Sequence, residues 1–248
     1  MAAALALSSG CSDGGGGDGE ADAVSVYRHA MDGAPRSLDP AQASSIYAKM
    51  LAVNLYDTLY RYKYLARPYE LAPNLADGMP QVSADGLIYT IRIRPGVYFS
   101  NDDAFPDGRG RAVTAEDFVY SIKRHFDPAT RAQGAWLWQD RIVGLDQWKD
   151  EGSDYDREVP GLRALDEHTV QIQLISPFPQ LVHTLAQGFS AVVPREAVEH
   201  YGASFAINPV GSGPYRLRSF DSTNAVLKRN REFRQIPFSL EEEGYDPE

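Results

Sequence analysis

The chain has 248 residues, 43% of them hydrophobic, enough for one large domain or two small ones around a genuine core. Its 24 Lys and Arg stand against 34 Asp and Glu, and the resulting formal charge of −10 argues against a nucleic-acid partner. A single cysteine excludes a disulfide framework, and no stretch approaches the ~18 apolar residues needed to span a bilayer.

That cysteine, Cys11, follows the small apolar run MAAALALSSG and precedes SDGGGGDGE. The run has the composition of the end of a secretory h-region, and the glycine-rich stretch after it reads as a flexible tether, with folded sequence beginning near Ala21. The whole segment resembles a bacterial lipoprotein signal, which implies Cys11 as the lipid attachment site. The alternative is an N-terminus carrying an incidental thiol.

From Ala23 to Ala30 the sequence reads as a short strand with Val24, Val26 and Arg28 on one face. MDGAPRSLDP, with Gly33, Pro35 and Pro40, reads as a long turn. AQASSIYAKMLAVNLYDTLYRY predicts a helix whose buried stripe is Ile46, Met50, Val53 and Tyr60. DGLIYTIRIRPG alternates cleanly, placing Leu87, Tyr89, Ile91 and Ile93 on one face of a half-buried strand. Thr114 then caps a helix over AEDFVYSIKRHF, with Glu116 and Asp117 at its positive end, Lys123 and Arg124 at its negative end, and Phe118, Ile122 and Phe126 facing inward. Two hairpins follow: GLRAL and TVQIQLI around DEH, with Val170, Ile172 and Leu174 inward, then PYRLRSF and AVLKRN around DSTN. Strands mixed with isolated helices predict an α+β or mixed α/β fold.

Motifs that carry chemistry are missing their parts. The five histidines, His29, His125, His168, His183 and His200, lack the i, i+4 spacing of a zinc hydrolase. GSGPY, from Gly211, is not G-x-S-x-G, and Pro214 blocks a following helix; its glycines read as a tight bend ahead of Tyr215. NDDAFPDGRGRAVTAED fails as a calcium loop because Phe105 and Thr114 fall at ligand positions, so it reads as a solvated loop. No metal or cofactor is expected.

SLDPAQ, NLYDTLYRY, LAPNLAD, DGLIYTIRIRPGVYF, VTAEDFVYSIKRHFDP, ALDEHTVQIQL, VVPREAVEHYG and NPVGSGPYRL, read in order, resemble the family 5 extracytoplasmic solute-binding proteins of ABC importers. The resemblance implies an α/β periplasmic-binding-protein type II clamshell, represented by a first lobe plus an inserted small domain, with the second lobe missing. It divides the chain into a signal remnant and tether (1–20), a first segment of the first lobe (21–47), an inserted α+β domain (48–175) and a second first-lobe segment (176–248). RQIPFSLEEEGYDPE departs from the family's next strand, so a truncated product is expected.

The resemblance also implies a non-enzymatic binder of extended peptides, whose backbone pairs with a protein edge at Gly33, Ala34 and Pro35 before delivery to a membrane permease. The implied protein is a monomer on the extracytoplasmic face of a bacterial membrane, held by lipid alone. The alternatives are an inactive fragment, a binder of a nickel complex, sugar or opine, or a secreted hydrolase.

Overall fold

A computed structural model describes residues 25–246. The alternating segments form its centre: β3 (Gln81–Val82), β4 (Ile88–Arg92), β5 (Leu162–Asp166) and β6 (Thr169–Gln173) make an antiparallel sheet in the order β3-β4-β6-β5. Tyr89 pairs with Ile172 and Ile91 with Val170, so the apolar face of β4 lies beside that of β6. Tyr89, Ile91, Ile93, Val170, Ile172 and Leu174 are all buried, as the period of two requires.

Helix α2 (Ala115–Lys123) packs across β5 and β6. Its start is a capping box: the Thr114 hydroxyl and the Asp117 carboxylate each satisfy the other's backbone N–H. Phe118, Ile122 and Phe126 point into the core. Lys123 and Arg124 are buried as well, so both ends of the helix are anchored inside the protein rather than in water.

The remaining elements flank this centre. β1 (Tyr60–Tyr62) and β2 (Leu71–Pro73) form one hairpin, and β7 (Tyr215–Phe220) and β8 (Ala225–Arg229) another. Short helices α3 (Leu145–Asp150), α4 (Leu181–Thr184) and α5 (Arg195–Tyr201) complete the order. The acidic loop is tethered rather than solvated, since Asp102 accepts hydrogen bonds from Ala104 N and the Tyr201 hydroxyl and Phe105 is buried.

Two expectations are corrected. Residues 25–30 form no strand; they are exposed coil in a separate unit that ends at Asp32. A strand needs a ladder partner for its backbone groups, and among the described residues none pairs with this segment. Helix α1 (Ile46–Leu55) forms where periodicity placed it, yet it buries the other face. Ala48, Ala52 and Leu55 are inward, while Ile46 is 67% and Val53 70% exposed, and Tyr60 lies in β1.

Both stripes of α1 are apolar, so spacing alone cannot choose between them; close backbone packing does. A Cβ on Gly213 would lie 2.5 Å from the Leu55 carbonyl carbon, and one on Gly211 would overlap the Leu55 oxygen. These glycines serve that approach to the end of α1, and neither adopts a positive φ. Gly213→Ala is therefore expected to cost about 1–3 kcal/mol in urea unfolding. Gly188→Ala, where an added Cβ meets nothing within 4 Å, is expected to change stability by less than about 0.5 kcal/mol.

Candidate functional site

The segment from Gly33 to Asp39 is fixed by a chain of local and long-range bonds. Ser37 Oγ accepts from Asp39 N at 3.2 Å, and Asp39 Oδ1 accepts from Ala41 N at 3.0 Å. Leu38 is fully buried and donates its N–H to Ala206 O at 2.7 Å. The Arg124 guanidinium then grips Asp39 with both arms, at 2.9 and 2.6 Å, and both side chains are 5% exposed. Beyond the turn, Gln133 N donates to Ala41 O and Gln42 Nε2 to Thr130 O.

This anchoring presents the residues just before it. Pro35 is buried, Ala34 is exposed and Gly33 is half-buried. Gly33 lies against the Tyr47 ring so closely that a Cβ would come within 2.5 Å of it. Ala34 precedes a proline and is thereby biased to extended backbone. Among the described residues, no hydrogen bond uses the main-chain groups of Gly33 or Ala34. The three residues implied by the family resemblance are consecutive non-strand backbone, and Pro35 offers an acceptor only. Cys11 lies outside the described residues.

A cavity of about 390 Å³ lies between α2 and α5. Most of its charged groups are held by protein partners. Arg111 bridges Asp117 (2.8 and 2.7 Å) and Glu196 (2.6 and 2.8 Å), and Lys123 Nζ donates to the carbonyls of Tyr155 and Arg157. Burial lowers the Lys123 pKa, an effect partly offset by the negative charges of Glu116, Asp154 and Asp156. Such a lining is a structural network. Ser212 donates to Asp57, not to a histidine, and among the described residues the one hydroxyl bonded to an imidazole is that of Tyr62, on His183.

Residues 70–242 match the family described as bacterial extracellular solute-binding proteins, family 5 middle. The chain belongs to this family. The glutathione-binding protein GsiB of Pectobacterium atrosepticum is 27% identical over 77% of this chain and 31% of its own length. The periplasmic oligopeptide-binding protein OppA of Escherichia coli is 28% identical over 79% of this chain and 34% of its own. Among solved structures, peptide-bound OppA of Listeria monocytogenes superimposes with a TM-score of 0.68 at 25% identity, covering 81% of this chain and 38% of that one. The murein tripeptide-binding protein MppA of Escherichia coli gives 0.66 at 29% identity over 80% and 37%.

The family fold is the type II periplasmic-binding-protein fold, and this chain spans about a third of the curated relatives it matches. It is thus a partial lobe of mixed α/β structure. Among the described residues no helix is long and apolar enough to cross a membrane.

Sequence reasoning missed the hub that joins the C-terminal part to the rest. Asp57 accepts from Ser212, from Asn74 and from both arms of Arg234, across separations of 155, 17 and 177 residues. Glu243 likewise holds Arg61 by a fork and accepts from Tyr64 N. Aspartate in NLYDTLYRY was the available signal, but nothing local named its partners.

His125 is buried, with its Nε2–H donating to Phe189 O at 2.7 Å. Burial pushes its pKa from 6.5 down to about 4. The neutral ring thus contributes stability that is complete above pH 6.5 and is lost as pH falls toward 4. Between pH 6.5 and 4.5, His125→Gln is expected to lose about 2–3 kcal/mol less stability than the parent, read from urea midpoints. Asp39→Asn leaves the buried Arg124 uncompensated and is expected to cost about 3–5 kcal/mol at pH 7 in the same measurement.

Proposed function

We propose that this chain forms one wall of a peptide-binding cleft in the solute-binding subunit of an ABC importer. The observation that carries the reading is the unpaired main chain of half-buried Gly33 and exposed Ala34, braced by the Asp39–Arg124 pair. An extended peptide laid beside such an edge gains main-chain hydrogen bonds that do not depend on its side chains. The relatives' names support this class of ligand: glutathione, oligopeptides and a murein tripeptide are all amide-linked.

In this reading residues 21–47 and 176–248 belong to one lobe and 48–175 to an inserted domain. The opposing wall belongs to the part of the relatives' length that this chain does not span. The subunit works outside the cytoplasm, is held there by acyl chains on Cys11, and passes its ligand unaltered to a permease.

Calorimetric titration with tri- to pentapeptides tests the proposal. Binding is expected to fall at least tenfold when the peptide's amide nitrogens are methylated, since each lost hydrogen bond is worth about 1 kcal/mol. Equal binding of methylated and unmethylated peptides, or release of cleavage products during the titration, contradicts it.

A further inference from the structure

Another cavity, about 320 Å³, lies beside α1 and has an unusual lining for a chain of net charge −10. Lys49, Trp136, Gln180, His183, Gln187 and Phe189 surround it, and no carboxylate does. The Lys49 ammonium stands 5.2 Å from the centre of the Phe189 ring and enters no ion pair among the described residues. His183 is oriented by the Tyr62 hydroxyl, 3.2 Å from its Nδ1. The Trp136 indole is 63% exposed, although it belongs to a segment whose neighbour Trp138 is fully buried.

This cavity is separate from the main-chain edge. Tyr47, which supports Gly33, and Lys49 lie two residues apart on α1 and so project about 160° from each other around the helix. A recess lined by two aromatic side chains, two amide side chains and a lysine without an ion pair suits a flat apolar body carrying a negative charge.

We propose that the cavity binds an aromatic carboxylate, its ring against Trp136 and Phe189 and its carboxylate on Lys49 Nζ. The same chemistry is presented by a free aryl-substituted acid and by the C-terminal phenylalanine of a peptide.

The three tryptophans make the test local, because Trp138 and Trp148 are buried and Trp136 alone is open to a neutral quencher. Acrylamide quenching is measured on the full chain with N-acetylphenylalanine, with N-acetylphenylalanine amide and with Ala-Ala-Phe. The acid is expected to shield Trp136 at concentrations at least tenfold below those needed by the amide. Lys49→Gln, a substitution at an exposed residue without an ion pair, is expected to abolish that difference while leaving the unfolding midpoint unchanged. Shielding by both the acid and the tripeptide means any aryl carboxylate fits, and shielding by the acid alone assigns the site to a small free aryl acid; both support the proposal, whereas shielding by the tripeptide alone overturns it. Equal shielding by acid and amide, or an acid preference that survives Lys49→Gln, overturns it. The peptide edge is untouched by this substitution, so either reading can fail alone.

Discussion

The buried contact between Asp39 and Arg124 is the constraint on which the arrangement depends. Two charged side chains at 5% exposure are tolerable because each satisfies the other: the guanidinium forks onto both carboxylate oxygens, and Oδ1 also receives the Ala41 N–H. The pair joins the turn after Pro35 to the C-terminal end of α2, and α2 is packed on the central sheet. Position therefore passes from sheet to helix to turn, and the free main chain at Gly33 and Ala34 inherits it. An apolar pair of similar volume could match the stability but would not fix direction as a two-pronged bond does.

The polar interior beyond that pair follows the same logic. Asp57, Asp117 and Glu243 each accept from an arginine and from at least one further donor. These carboxylates are structural because their lone pairs are committed. Among the described residues, the main chain of Gly33 and Ala34 and the Lys49 ammonium carry no such commitment, and both are groups suited to recognition.

How much of this was legible in the sequence depended on the range of the interaction. The period of two in β4 and β6 and the capping box of α2 are written within a few residues, and both elements form where the sequence places them. For α1 the pattern was ambiguous, because Ile46-Met50-Val53 and Ala48-Ala52-Leu55 are both apolar stripes; the outcome was set by Gly211 and Gly213, more than 150 residues away. Residues 25–30 had strand composition without a partner. Gly33, Ala34 and Pro35 entered through family likeness, whereas the reason they present free backbone, the grip of Arg124 on Asp39 across 85 residues, has no local signature.

The most direct measurement of the central claim is amide hydrogen exchange at Gly33 and Ala34 with and without a bound tripeptide. The account expects both amides to exchange rapidly in the free protein and to slow at least tenfold when peptide is bound, with Ala48 and Ala52 in α1 unchanged. Peptide binding that protects other amides and leaves Gly33 and Ala34 exchanging at their free rates would contradict it.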